Sequence, residues 1–258
     1  MTELKELDLR LCQIVAIQYD YFHNLVVLEK LFLSHNLITE ITYEAFAPLT
    51  LLRHLDLSYN NYFYGNNPLQ TLSPRLRIDE KLFTNLKKLM FLDLSHTKLT
   101  NSSVLALYNL QQDIEQLSLC YTEITYLMPS MFQNKSVKVI DLSGNAELYQ
   151  NLKPENFIGL ELLEILVFRN ARFDDFSVIS SLNRLRMLDL RYNLISYIVA
   201  ENFSYFPDLE ILDVGDNKIY NWNTRLFANN SKLKILNLRE NNITMMNVEM
   251  LRDFYETR

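Results

Sequence analysis

LEKLFLSHNLI, residues 28–38, is followed 24 residues on by LRHLDLSYNNY, residues 52–62, and then by LMFLDLSHTKL, residues 89–99. All three follow one template, L-x-x-L-x-L-x-x-N-x-L. The same phrase can be laid on the chain ten times, starting at Leu4, Leu28, Leu52, Leu89, Ile114, Val137, Leu163, Leu185, Leu209 and Leu233. Internal repetition at this period specifies a solenoid, in which each unit buries its apolar face only against its neighbours.

Each position has a physical task. The L-x-L core alternates, so it reads as a short strand with leucines inward and x residues outward. Stacked strands then form a parallel sheet at about 4.8 Å per repeat. The ninth position lies where the chain leaves the sheet. It is Asn36, Asn60, Asn145, Asn193, Asn217 and Asn241 in six repeats. An amide both donates and accepts, so these six are expected to form a ladder that satisfies the backbone groups of the turn. Cys12, Thr97 and Thr122 do part of that work, and Ala171 none, so a weak rung is expected there. Cys12 is expected to be buried in the ladder. A second column, F-x-x-L, marks the return path: Phe22/Leu25, Phe46/Leu49, Phe83/Leu86, Phe157/Leu160 and Phe203/Phe206, with looser forms at Leu107/Leu110, Ile179/Leu182 and Leu251/Phe254. These predict a second spine behind the sheet, and a sheet that bends inward.

Composition narrows the function. The net charge is −6, and acidic and basic residues nearly balance along the outward strand positions, which argues against a nucleic-acid partner and suits a protein. Four glycines leave no phosphate-cradling loop. No nucleophile–base set, metal-ligand spacing or cofactor motif can be assembled, so neither an enzyme, a metal nor a cofactor is expected. Cys12 and Cys120 lie four strand spacings apart, about 19 Å, too far for a disulfide. Cys120 reads as a surface thiol. No leader peptide, no run of about 20 apolar residues and no cysteine-rich cap is present, so the chain reads as a single uncapped solenoid over residues 1–258, a piece of a longer protein. Five N-x-S/T sequons, at Asn101, Asn134, Asn202, Asn229 and Asn242, are candidate glycosylation sites off the sheet.

Three outward features are candidate binding surfaces. The third repeat position carries Phe91 and then Val139, Ile165, Met187, Ile211 and Ile235 in five consecutive repeats, an exposed apolar stripe. Good strand propensity alone also explains such residues. The eighth position carries His35, Tyr59, His96, Tyr121 and Tyr192, aromatics with polar tips suited to an interface. A solvated loop edge is the plainer reading. The long third repeat has 13 extra residues, 37 against 24, and residues 60–81 read as a loop bearing Tyr62, Phe63 and Tyr64. Packing of those rings on the return spine is the alternative.

With the repeats aligned, the phrase is the leucine-rich repeat. The expected architecture is an α/β-type repeat solenoid, a leucine-rich-repeat horseshoe with a concave parallel sheet of about ten strands and a mostly irregular convex side. The long 24-residue form, the F-x-x-L return, the irregular repeat lengths and the segment LKILNLRENNITMMNVEMLRDF resemble the ectodomain of a Toll-like receptor of insect type, as a fragment. That resemblance implies an extracellular or cell-surface module of innate immunity or development. It would recognise a protein or microbial ligand, form a homodimer or heterodimer, and meet the membrane only through a segment outside these residues. A secreted or surface-anchored adhesion or scaffold protein shares the repeat, as does an intracellular adaptor.

Overall fold

The structure, a computed structural model, describes residues 3–60, 74–111, 113–222 and 225–245. Ten three-residue strands form one parallel sheet in strict chain order: β1 (Glu6–Asp8), β2 (Lys30–Phe32), β3 (His54–Asp56), β4 (Phe91–Asp93), β5 (Gln116–Ser118), β6 (Val139–Asp141), β7 (Ile165–Val167), β8 (Met187–Asp189), β9 (Ile211–Asp213) and β10 (Ile235–Asn237). Each repeat contributes one strand, and its central leucine or isoleucine pairs with its counterpart in the next, from Leu7 and Leu31 through to Leu212 and Leu236. This is the leucine-rich-repeat horseshoe, its convex side built of turns, short helices and two-residue ladders.

Two spines fill the space between sheet and return path. The strand leucines are fully buried from Leu31 to Leu212. Behind them Phe46, Phe83, Phe157, Phe203 and Phe206 are buried as expected, and Phe22 and Phe46 lie 5.8 Å apart. Phe132, Phe176 and Phe227 belong to the same column although they fall outside the F-x-x-L frame. Phe176, Phe203 and Phe227 follow one another at 5.3 and 5.0 Å, the separation favoured by tilted ring pairs. Leu251 and Phe254 lie outside the described residues.

The ladder is present. Asn193 shows its full form: Oδ1 accepts the amides of Ala171 and Phe173 at 2.9 and 3.0 Å, while Nδ2 donates to the carbonyls of Phe168 and Leu190 at 2.7 and 2.9 Å. One side chain thus joins two coils through four backbone groups. Asn36, Asn60, Asn145, Asn217 and Asn241 repeat the pattern with two donations each, to their own coil and to the preceding one. Thr97 and Thr122 replace it partly, with hydroxyls donating to Leu57 and Leu119.

Two expectations change here. Ala171 is itself buried and well tied, because Asn193 of the next coil caps its amide. Toward the preceding coil Ala171 offers no polar side-chain atom, and there the chain after Asn145 turns into a short helix, Ala146–Tyr149, in which the Leu148 amide donates to the Asn145 carbonyl. Cys12 is exposed rather than buried, because a ladder side chain buries against the coil before it and no described coil precedes the first. Its amide still donates to Asn36.

The long repeat is also only partly a loop. Tyr62, Phe63 and Tyr64 lie outside the described residues. Downstream, Leu76 and Ile78 are fully buried, and Arg77–Ile78 pairs in parallel with Glu40–Ile41 of the previous return path. The ion pair of Arg77 with Glu40 at 2.8 Å closes that join.

Candidate recognition surface

The sheet face is a grid of columns. At the second position, charged side chains alternate across neighbouring strands: Lys5, Glu29 and Arg53 at one end, and Glu164, Arg186, Glu210 and Lys234 at the other. Exposed pairs of this kind add little stability and mainly fix register.

The apolar column at the third position is continuous in the register Val139, Ile165, Met187, Ile211, Ile235. Phe91 stands apart, separated from Val139 by Gln116. The column is less open than its sequence suggests. Only Ile235 is largely exposed, at 54 %, and the other four are half-buried because each covers the next at strand spacing. What remains is a shallow apolar strip.

At the fifth position, Oδ1 accepts the amide two residues on: Asp56 from Ser58 at 2.9 Å, Asp93 from Ser95 at 2.8 Å, Asp141 from Ser143 at 2.8 Å, Asp213 from Gly215 at 3.0 Å. The bond turns the chain into the eighth position, which is left-handed in all ten coils, with φ from +48° at Asn170 to +72° at Gly144. The motif assigned these Asp residues no role; their spacing of two before the turn was the available signal.

That left-handed column carries the edge aromatics, and they are not separately solvated. His35 and Tyr59 stack with centroids 4.4 Å apart, Tyr59 and His96 at 4.3 Å, His96 and Tyr121 at 4.8 Å, all within 15° of parallel. The stack ends where the Tyr121 ring lies over Gly144: a Cβ there would stand 2.4 Å from the ring. Tyr192 is excluded from it and stands 51 % exposed. Burial lowers the His96 pKa, against the pull of Asp93 and Asp141. Burial likewise lowers that of His54, which lies 5.7 Å from Phe91 on the sheet face.

Cys120, next to Tyr121, is half-buried rather than a surface thiol, and burial pushes its pKa up to about 11, which makes it a poor nucleophile. Asn101, Asn134, Asn229 and Asn242 are exposed and lie off the sheet strands; Asn202 is half-buried and its Oδ1 accepts the Val199 amide. Among the described residues no cluster of three or more His, Cys, Asp or Glu could hold a metal, and no helix is long and apolar enough to cross a membrane.

The grid and the ladder define a leucine-rich-repeat protein, and comparison with known proteins agrees. Models of the leucine-rich repeat match residues 2–61 and 229–244, and one of the BspA-type leucine-rich repeat region matches residues 60–173. The chain is similar to mouse CD180 antigen, 38 % identical over 43 % of this chain and 18 % of that protein, and to human Toll-like receptor 8, 29 % identical over 74 % and 20 %. It is also similar to bovine lumican, 28 % identical over 98 % of this chain and 76 % of lumican. The chain thus spans about a fifth of the receptors it matches and three-quarters of lumican. Among solved structures, the functional domain of InlJ from Listeria monocytogenes superposes with a TM-score of 0.65 at 18 % identity, covering 99 % of this chain and 49 % of that one, a likeness of fold.

Proposed function

We propose that the chain is a non-enzymatic recognition module of an extracellular or cell-surface receptor of Toll-like type, of the insect form on its repeat pattern, and that its sheet face binds a protein or microbial ligand or a second receptor chain. The carrying observation is the apolar strip from Val139 to Ile235, continuous over five strands beside rows of polar side chains. An apolar centre with a polar rim is the usual anatomy of a binding surface. Similarity to CD180 antigen and Toll-like receptors supports the receptor reading; similarity to lumican over a larger share favours a secreted or surface-anchored scaffold as the second.

Two measurements test this. Coding sequence on both sides of the chain separates the readings: a transmembrane helix followed by a TIR domain supports the receptor, whereas a lipid-anchor signal or a coiled coil moves the chain to the scaffolds. Intact mass of protein secreted from cultured cells, with and without N-glycosidase, tests location, and unglycosylated, retained protein favours the intracellular adaptor. For the surface, the wild-type chain and Ile211→Lys are used to capture secreted proteins from the source tissue. Proteins lost on Ile211→Lys support the strip; identical recoveries remove it.

A further inference from the structure

The acidic column differs between the two ends of the sheet in a way the repeat pattern does not require. Oδ1 of each aspartate has the same structural duty, so the difference lies in Oδ2. In the first coil Arg10 reaches Asp8 Oδ2. In the eighth, Asp189 Oδ2 accepts from Arg169 Nε at 2.8 Å and from Arg191 Nη2 at 3.0 Å. In the ninth, Asp213 Oδ2 accepts from Asn237 at 3.0 Å and lies 3.5 Å from Arg191 Nε. The arginines come from the seventh position of the repeat. At Asp56, Asp93 and Asp141 that position holds Ser58, Ser95 and Ser143, too short to reach across, and none of the three carboxylates has an ion pair among the described residues.

Cations near these three are engaged elsewhere: Lys30 with Glu6, Arg53 with Glu29, Lys138 with Glu115. Asp93 sits in a depression of about 120 Å³ with Asp56, His54, Phe91, Gln116 and Ser118 around it. Two carboxylates and two aromatic rings lining so small a space match a guanidinium, which pairs with carboxylates and stacks on rings. The column therefore shows, in its own coils, the group it accepts, and between the first and seventh coils it leaves the place for that group open.

We propose that the sheet face over β3 to β6 binds an extended, arginine-bearing peptide segment of the partner, with guanidinium groups on Asp56 and Asp93 and on Asp141, beside the stacked ring edges of the eighth position. This rests on the sheet face being the recognition surface and names the chemistry of what it takes. Asp93 and Asp141 stand two strand spacings apart, about 10 Å, close to the roughly 9 Å rise of one three-residue turn of polyproline-II chain, which sets side chains i and i+3 on the same face.

The test uses a fluorescent glycine-rich peptide with two arginines three residues apart, its citrulline twin, and the complete chain, read by anisotropy. Saturable binding of the arginine peptide alone is expected, weakened about tenfold by Asp93→Asn or Asp141→Asn, as loss of one charged hydrogen bond implies. Asp20→Asn, Glu44→Gln and Glu201→Gln together remove three times as much charge from the return path and should change nothing. Gln116→Lys, which fills the depression with a cation of the protein's own, should abolish binding without touching a carboxylate. Equal binding of the citrulline twin, equal loss in the return-path triple, or wild-type binding by Gln116→Lys would each overturn the proposal, as would no binding by the wild-type chain. If the peptide fails while Ile211→Lys still loses captured proteins, this proposal falls and the recognition surface stands. If Ile211→Lys captures everything while the peptide binds, the reverse holds for the apolar strip.

Discussion

Replacing Asn193 by alanine tests the ladder where it is most complete. The side chain is only 5 % exposed and makes four backbone bonds between 2.7 and 3.0 Å. Alanine leaves two amides, of Ala171 and Phe173, and two carbonyls, of Phe168 and Leu190, without it. Each bond is worth about 1 kcal/mol net, and stranded buried groups cost more, so the expected loss is about 4 kcal/mol. For a domain of this size that lowers Tm by roughly 10 °C. Because repeat arrays can open locally, hydrogen exchange supplies the localised readout: the Ala171 and Phe173 amides should lose protection before those of β1 to β4. Asn193→Asp separates acceptance from donation. It retains the oxygen that caps both amides but turns a carboxylate toward two carbonyls, and should be at least as damaging as alanine. Ala171→Ser, in the same turn, should shift stability by about 1 kcal/mol or less. A loss below about 1 kcal/mol for Asn193→Ala, or unchanged protection at Ala171 and Phe173, would refute the argument.

Three further outcomes are expected. Charging the apolar strip should have graded effects on melting: Ile235→Asp, at the more exposed position, costs less than about 1 kcal/mol, and half-buried Ile165→Asp costs about 2 kcal/mol, so equal melting curves would contradict the burial gradient. Alkylation at pH 8 followed by mass spectrometry should label exposed Cys12 quickly and Cys120 only on unfolding, since burial holds the Cys120 thiol protonated. Burial lowers the pKa of His54 and of His96, so below about pH 6.5 the unfolded chain binds protons more readily; stability is full above that pH and falls as pH drops through the folded values. Replacing His54 by Gln and His96 by Phe should flatten denaturation midpoints between pH 7 and 5, and an unchanged slope would exclude these rings as its source.

The sheet and its register were legible because the L-x-L spacing dictates which side chains point inward, and ten copies leave one alignment. The ladder was legible because Asn is chemically suited to a turn. The aromatic stack was not, because stacking depends on backbone handedness, and Tyr and Leu give no hint of positive φ. Gly144, Asn170 and Asp216 in the same column did carry that hint, being residue types that tolerate the left-handed region. The strip was read as more open than it is because exposure depends on neighbours that a single repeat does not contain. Phe132 and Phe227 stand 18 residues into their repeats, as Phe22, Phe46 and Phe203 do, and were missed because Lys135 and Asn230 take the place of the Leu of F-x-x-L; Phe176 was missed because it stands 13 residues into the shortest repeat.

Gly144 gives the ring stack its length. A methyl group there meets the Tyr121 ring at 2.4 Å and also occupies a left-handed backbone, so Tyr121 would have to swing away. Tyr121 lies on His96, His96 on Tyr59 and Tyr59 on His35, so the displacement passes from the sixth coil toward the second through ring contacts alone. A single hydrogen-to-methyl exchange would thereby reshape a ledge about 14 Å long, three strand spacings, while every leucine and every rung stayed where it is.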